Sequence, residues 1–204
     1  MGKYFGTDGF RGEANVDLTV EHAYKVGRYL GYYFGKEKQG DDRARIVIGK
    51  DTRRSSYMFE YSLVAGLTAS GADVFLMHVT PTPSVSYIVR ADEFDCGIMI
   101  SASHNPFYDN GIKIINSHGA KMDAAVEKLI EDISMTWTGD PFATKEKIGR
   151  TTDYSMGRNR YIGYLMTLHT CIQESACRTR LCKRCISTVA KAVFDALREV
   201  MSHQ

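Results

Sequence analysis

The residues best suited to chemistry lie at 101–106, in the polar stretch SASHNP, which is followed at 110–113 by NGIK. Together the two stretches place a serine hydroxyl, an imidazole and a lysine amine within a short length of chain. Ser103 follows the apolar run CGIMI at 96–100, which is typical of a buried strand. The sequence therefore predicts an exposed serine at the carboxyl end of a strand, in a loop suited to phosphoryl chemistry.

Three other loops carry groups that could contact a phosphate. They are FGTDGFRG at 5–12, where Thr7 offers a hydroxyl, GKDTR at 49–53, and TPTP at 80–83. A guanidinium binds phosphate through two parallel hydrogen bonds, and a lysine amine binds it as a point charge. Four cations could balance the phosphate charge: Arg11, Lys50, Arg53 and Lys113.

Alternating apolar and amphipathic segments must position these loops. The predicted strands are 45–49, 73–78, 96–100 and 111–115, and the predicted helices are 20–35, 55–71, 84–90 and 123–133. Thr19 and Ser55 are the predicted N-caps of the first two helices. Gly27 and Gly31 in the first helix suit close packing on a sheet. The pattern predicts an α/β fold, a three-layer α/β/α domain with a mostly parallel mixed sheet, in which ligands bind at the carboxyl ends of the strands.

Composition and charge narrow the class of partner. The chain has 204 residues, 44% hydrophobic and 25% charged, which is enough for one full domain and part of a second. A net charge of +2 gives no electrostatic argument for nucleic acid or a membrane surface, and it is compatible with a small anionic substrate. The start has no apolar leader segment and no run reaches membrane-spanning length, so we expect a cytoplasmic protein.

Simpler readings of the same residues exist. Ser103 and His104 could indicate an acyl hydrolase, but the chain has no G-x-S-x-G turn, and adjacent residues usually point apart. The Asn-Pro pair alone could mark a turn. Asp51 and Arg53 could form a structural pair, and Lys113 could be a solvated side chain.

The motifs at 5–12, 101–106 and 110–113 together resemble the α-D-phosphohexomutase family. The resemblance covers about residues 1–150. Ser101 favours the bacterial branch of the family that acts on glucosamine phosphates, since the phosphoglucomutase and phosphomannomutase relatives usually have threonine followed by glycine or alanine before the reactive serine. The resemblance implies interconversion of glucosamine 6-phosphate and glucosamine 1-phosphate through a bisphosphate intermediate, within amino-sugar synthesis for the cell wall.

The resemblance also implies a role for each site residue. Ser103 would be carried as phosphoserine, and Mg²⁺ would bind one of its phosphate oxygens. Lys113 would be a general acid/base or phosphate partner, Arg11 a charge stabiliser, and His104 a residue that orients the loop or the sugar. The substrate-binding or phosphate-binding set would be Thr7, Ser101, Asn105, Asp51 and Arg53.

The remaining residues, 151–204, are predicted to be a linker and the incomplete start of a second α/β domain. The family's metal loop, sugar-reading loop and phosphate clamp do not occur in this sequence, so we expect this chain alone to be inactive or a poor mutase. The alternatives are a phosphomannomutase or phosphoglucomutase fragment, or a non-catalytic remnant that binds phosphosugar weakly.

Four of the five cysteines crowd the segment 171–185, but only the last two have the C-x-x-C spacing of a zinc site. We favour a frameshift over about residues 170–186, because 178–185 (RTRLCKRC) can be encoded by codons that give GLDCANG when they are read one base later. That heptapeptide resembles the start of the family's second domain. The coding DNA tests this hypothesis. An apolar helix at 187–197 would then lack its sheet and could promote self-association.

Overall fold

A mixed sheet of seven strands forms the centre of the chain. The strands are β1 (Phe5–Gly6), β2 (Gly9–Glu13), β3 (Arg45–Lys50), β4 (Asp73–Val79), β5 (Cys96–Ile100), β6 (Asp109–Asn116) and β7 (Thr151–Asp153). Their spatial order is β1-β2-β6-β5-β3-β4-β7. Strands β5, β3, β4 and β7 pair in parallel, whereas β1, β2, β6 and β5 pair antiparallel.

Helices cover both faces of this sheet. They are α1 (Val20–Gly35), α2 (Arg54–Ala69), α3 (Thr82–Ala91) and α4 (Ala124–Thr136), and a 3₁₀ turn follows at Lys145–Lys147. Leu30 of α1, Leu63 of α2 and Ile130 of α4 belong to one buried cluster with the sheet. Val85 and Ile88 of α3 belong to a second cluster on the opposite face. The predicted α/β class and three-layer arrangement with a mixed sheet are therefore confirmed.

The computed structural model describes residues 5–6, 9–136 and 142–179. The chain divides into two compact units, 1–155 and 156–204, and helix α5 (Ser155–Thr179) accounts for the described part of the second. Strand β7 belongs to the first unit. The assignment of 151–204 to a second α/β domain and the frameshift stay predictions. The apolar helix at 187–197 and the last two cysteines lie outside the described residues.

The ends of the elements follow from local chemistry. Thr19 caps α1 as predicted, since its Oγ1 accepts a hydrogen bond from the His22 amide at 3.3 Å. The prediction that Ser55 caps α2 is wrong, because the helix begins at Arg54 and Arg53 occupies the cap position without a side-chain bond. The first turn is instead organised by Asp51, whose Oδ1 accepts from the Arg53 amide at 3.0 Å.

Glycines in α1 and α2 allow the two helices to pack closely. A Cβ at Gly27 would lie 2.5 Å from the carbonyl oxygen of Leu63, and one at Gly66 would lie 2.3 Å from that of Tyr24. The small residues of α1 thus serve its contact with α2 and not, as predicted, a close contact with the sheet. This contact fixes the amino end of α2 over the carboxyl end of β3, where the polar loops meet.

Candidate functional site

The loop between β5 and β6, residues 101–108 and here called the serine loop, places a serine in solvent next to a buried strand. Ser101 and Ala102 are buried, whereas Ser103 and His104 are exposed. Ser103 has a φ of 58°, in the left-handed region that costs a non-glycine residue on the order of 1 kcal/mol. The surrounding contacts must therefore hold this conformation, and they do so in a way that exposes the hydroxyl.

Ser101 shapes the start of the serine loop. Its amide donates to the carbonyl of Gly111 at 2.9 Å, and its Oγ accepts a hydrogen bond from the Ser103 amide at 3.0 Å. Its side chain is buried, with 7% of the residue exposed. Of the two serines in the motif, Ser103 is therefore the one that an incoming ligand can reach.

Asp51 and Arg53 form an ion pair, as one of the two interpretations of these residues predicts; the other is that they bind phosphate. Arg53 Nε donates to Asp51 Oδ2 at 2.9 Å, and the two side chains are 11% and 23% exposed. The remaining guanidinium nitrogens of Arg53 contact backbone carbonyls in and beside the serine loop. Asn105, another predicted binding residue, donates from Nδ2 to Asp109 Oδ2 at 2.9 Å.

A partly buried hydrogen-bond network connects α2 to the first residues of β6. Ser56 Oγ donates to Asp51 Oδ1 at 2.6 Å, and Asn110 Nδ2 donates to the hydroxyls of Ser55 and Ser56 at 2.8 and 2.9 Å. Asn110 Oδ1 in turn accepts from the Gly111 amide at 2.8 Å. Sequence reasoning missed the roles of Asn110 and Ser56. The Asn-Gly pair next to the serine motif was the available signal.

Arg11 and Lys113 lie on the same face of the sheet. Arg11 of β2 pairs with Gly111 of β6, and Lys113 pairs with Met99 of β5. Residues directly opposite each other share a face, and so do residues two apart in one strand. Met99 belongs to the cluster under α3, so both cations lie on the α3 face. Lys113 is on β6, which pairs with the strand that ends in the serine loop, and Arg11 is on β2, on the far side of β6.

Gly111 lets Arg11 approach the serine loop. A Cβ at this position would lie 2.9 Å from Arg11 Cγ and 2.9 Å from the carbonyl oxygen of Ser101. Both distances are shorter than a real Cβ contact allows. The aliphatic stem of Arg11 therefore crosses the backbone of β6 at the point where Ser101 is hydrogen-bonded.

Lys50 is held in a buried ion pair and not in a phosphate site. Its Nζ contacts Glu60 Oε2, the two side chains are 3% and 1% exposed, and the Tyr57 ring centroid lies 4.0 Å from the amine. The suggestion that Lys50 balances a phosphate is therefore wrong, because a carboxylate of α2 already neutralises it. The pair fixes the end of β3 just before Asp51.

A magnesium site does not form from the residues that the structure describes. Among them, no group of three or more histidine, cysteine, aspartate or glutamate side chains could hold a metal. Asp51 and Asp109, two carboxylates of the network around the serine loop, already accept hydrogen bonds from Arg53, Ser56 and Asn105. Thr7, the remaining predicted phosphate contact, lies outside the described residues. No described helix is long and apolar enough to cross a membrane.

The arrangement can present a hydroxyl, or a phosphoryl group on it, to a ligand above the carboxyl ends of the strands. Ser103 and His104 are the exposed groups, and Arg11 and Lys113 supply positive charge from neighbouring strands. The five residues of the Asp51, Arg53, Ser55, Ser56 and Asn110 network hold the backbone beneath them. This chemistry matches phosphoryl transfer, which depends chiefly on positioning and charge stabilisation.

The family model and the most similar curated proteins indicate the same family. Residues 2–139 match the family model described as phosphoglucomutase/phosphomannomutase, alpha/beta/alpha domain I. The chain is 67% identical over 199 residues to the phosphoglucosamine mutase of Lachnoclostridium phytofermentans, and 64% identical over 203 residues to that of Lachnospira eligens. These matches cover 97% of this chain and 44% of each relative, so the chain spans less than half the length of the curated relatives it matches.

Solved structures share the fold. A phosphoglucomutase/phosphomannomutase family protein from Burkholderia thailandensis superposes with a TM-score of 0.64 at 23% identity, covering 79% of this chain and 35% of the other. A candidate phosphomannomutase from Thermus thermophilus also has a TM-score of 0.64, at 28% identity, covering 82% of this chain and 36% of the other.

Proposed function

Because the chain belongs to the phosphoglucomutase/phosphomannomutase family, we propose that it carries the phosphoryl-donating domain of a phosphoglucosamine mutase. The observation that carries the proposal is the 67% identity to a relative of that name, which extends over 97% of this chain. The proposed reaction interconverts glucosamine 6-phosphate and glucosamine 1-phosphate through a sugar bisphosphate.

Ser103 is the proposed carrier of the phosphoryl group. In the donating step, a sugar hydroxyl attacks the phosphorus of phosphorylated Ser103, the new P–O bond forms to the sugar, and the bond to Ser103 Oγ breaks. The hydroxyl proton leaves the attacking oxygen, and Ser103 Oγ regains a proton when it is released. The reverse step, from the other position of the bisphosphate, restores the phosphoserine. Exposure of Ser103 supports this assignment, and burial of Ser101 argues against the alternative serine.

The cations of the sheet face have proposed roles in the same step. A phosphoserine brings a charge of about −1.5 to −2, which needs positive partners. Arg11 is proposed to stabilise that charge, Lys113 to hold the phosphate or to move the hydroxyl proton, and His104 to orient the sugar. The placement of Arg11 and Lys113 on one face of neighbouring strands, and of His104 in the serine loop itself, supports these roles.

For magnesium, we propose one ligand only, an oxygen of phosphorylated Ser103. Magnesium would neutralise charge on the transferred phosphoryl group, and phosphorylated Ser103 would offer one oxygen ligand. The described residues do not form the rest of such a site. The longer relatives contain further chain that this one does not span.

The alternative substrate is a mannose phosphate, because the chain is 28% identical to a candidate phosphomannomutase. The test is to mix the chain with magnesium and glucosamine 1,6-bisphosphate, and separately with the glucose and mannose analogues. The sugar monophosphate that each bisphosphate yields after it transfers one phosphoryl group to the chain is then measured. Stoichiometric release from the glucosamine compound, faster than from the other two, supports the proposal.

Two variants make this test specific. Ser103→Ala should abolish the release, whereas Ser117→Ala, at another exposed serine, should leave it unchanged. Faster release from the mannose compound would favour the phosphomannomutase alternative. Absence of release from all three would favour the non-catalytic remnant.

A further inference from the structure

We propose that Arg53 is a positioning residue that holds the serine loop in the conformation exposing Ser103, and not a ligand of the substrate phosphate. The functional part of this inference rests on the proposed phosphoryl transfer. The structural part stands on the contacts of the guanidinium alone.

Every N–H of the Arg53 guanidinium has an acceptor. An arginine offers five N–H donors in a rigid planar fork. Nε donates to Asp51 Oδ2 at 2.9 Å. Nη1 donates to the carbonyls of Pro106 and Asp109, the latter at 3.1 Å. Nη2 donates to the carbonyls of Ser103 and Asn105 at 3.0 and 2.8 Å. Four carbonyls spread over seven residues of chain therefore converge on one cation.

The guanidinium is itself held from the side of β3. Asp51 accepts from both the Arg53 amide and Arg53 Nε, and Ser56 Oγ donates to the same carboxylate at 2.6 Å. With 11% of its side chain exposed, Arg53 lies beneath the loop and not in open solvent. Its position is thus fixed before any ligand arrives.

The contacts explain how the loop keeps an unfavourable backbone. Ser103 has a positive φ, and its carbonyl is one of the four that Arg53 holds. The amides of Ser103, Asn105 and Asp109 are hydrogen-bonded inside the loop, to Ser101 Oγ, Ala102 O and Pro106 O. Loss of the guanidinium would release the carbonyls, and these three amide bonds would then open more often.

The same contacts argue against a direct phosphate role. Two parallel hydrogen bonds to a phosphate would require two of the five donors of Arg53 to leave their present acceptors. Those acceptors would be loop carbonyls or the Asp51 carboxylate, so phosphate binding would loosen the loop that presents Ser103.

Arg53→Lys is the informative variant, because lysine keeps the charge but has three donors and no planar fork. The matched control is Arg54→Lys, at the exposed next residue. Two quantities are measured on the 204-residue chain. One is amide hydrogen exchange across 101–109 without ligand, and the other is the rate of Ser103 phosphorylation as a function of glucosamine 1,6-bisphosphate concentration.

The expected result separates positioning from binding. In Arg53→Lys, exchange of the Ser103, Asn105 and Asp109 amides rises about ten-fold. The maximal rate of phosphorylation falls on the order of 100-fold, as for a reacting group displaced by about 1 Å. The half-saturating concentration changes less than about two-fold, because a positioning residue makes no contact with the bisphosphate that the substitution could remove. Arg54→Lys matches the wild type in all three.

Two results would overturn the proposal. One is unchanged exchange in Arg53→Lys, and the other is a half-saturating concentration raised more than about ten-fold at an unchanged maximal rate, as for a lost substrate ligand. If the wild-type chain accepts no phosphoryl group, the proposed function fails, and the exchange measurement alone still tests whether Arg53 holds the serine loop. Should Arg53→Lys not fold, Asp51→Asn gives the same test, with smaller changes in the same direction.

Discussion

The two ends of strand β3 carry similar charged residues in different surroundings. At the amino end, Lys38 pairs with Asp95 at 2.9 Å and Arg43 with Asp73 at 3.7 Å, and these four side chains are 24–28% exposed. At the carboxyl end, Lys50 and Glu60 are 3% and 1% exposed, and the Asp51 and Arg53 pair follows directly.

The targets of these charges differ as well. At the amino end, Arg43 also donates to the carbonyl of Ile148 at 2.6 Å, so it fastens one surface segment to another. At the carboxyl end, Arg53 fastens a loop whose serine stays in solvent. Solvent-exposed ion pairs contribute little to the free energy of folding. Buried ion pairs can fix a local geometry, but removing their charged groups from water costs free energy. We infer that the carboxyl end preorganises Ser103 in two steps: the buried Lys50–Glu60 pair fixes the end of β3, and Arg53, whose side chain is 11% exposed, holds the loop. Asp51, at 23%, is as exposed as the amino-end charges.

The largest change in stability should follow from breaking the buried pair. Glu60→Ala leaves the amine of Lys50 uncompensated in the interior, which should lower the free energy of unfolding by about 3–5 kcal/mol. Urea unfolding followed by circular dichroism measures the effect. The double variant Lys50→Met with Glu60→Leu should recover most of it, since replacing a buried pair by apolar residues is often neutral. A loss below about 1 kcal/mol for Glu60→Ala would contradict the account.

Gly111→Ala should have the next largest effect. The new Cβ would lie 2.9 Å from both Arg11 Cγ and the Ser101 carbonyl oxygen, and overpacking of this kind costs about 1–3 kcal/mol. We expect slower phosphorylation of Ser103 as well, because Ser101 and Arg11 must move. Gly35→Ala is the control, since a Cβ at Gly35 meets nothing within 4 Å. Equal behaviour of the two variants would remove Gly111 from the site.

A rim pair should matter less than either. Lys38→Ala removes the contact with Asp95 at the amino end, where the two side chains are 24% and 25% exposed. The expected loss is about 0–1 kcal/mol, with unchanged amide exchange in the serine loop. Loop exchange that rises in this variant would show that the two ends of β3 are coupled.

The smallest effect concerns an exposed charge at the carboxyl end of β7. The amide of Ser155 lowers the pKa of Asp153, and the nearby His78 contributes to the same direction. A lowered folded-state pKa gives stability that is present above the carboxyl's ordinary value and is lost as pH falls through the folded-state value. Asp153→Asn should therefore flatten the acid limb of the stability profile slightly. A flat wild-type profile would contradict this assignment.

The sequence predicted the elements better than their contacts. Strand β5 and the start of α1 at Thr19 follow from local apolar patterns and capping, and both have the predicted bounds. The burial of Lys50 was not predictable, because its partner Glu60 lies nearly two helix turns inside α2 and only the fold brings α2 over β3. The same holds for Arg53, since its four carbonyl acceptors lie about fifty residues away in sequence.

The site residues show the same limit. A local motif predicts an exposed serine at the carboxyl end of a strand, and Ser103 is exposed just after β5. The role of Asn110 depends on Ser55 and Ser56, which a single sequence does not connect to it. Motifs thus indicate which groups react, and tertiary contacts decide which groups hold them.

The most direct test of the account is site-resolved mass spectrometry of the chain after incubation with glucosamine 1,6-bisphosphate and magnesium. We expect one added phosphoryl group, on Ser103, with none on Ser101 and none in the Ser103→Ala variant. A phosphoryl group on Ser101, or an unmodified Ser103 under conditions in which the bisphosphate is consumed, would contradict it.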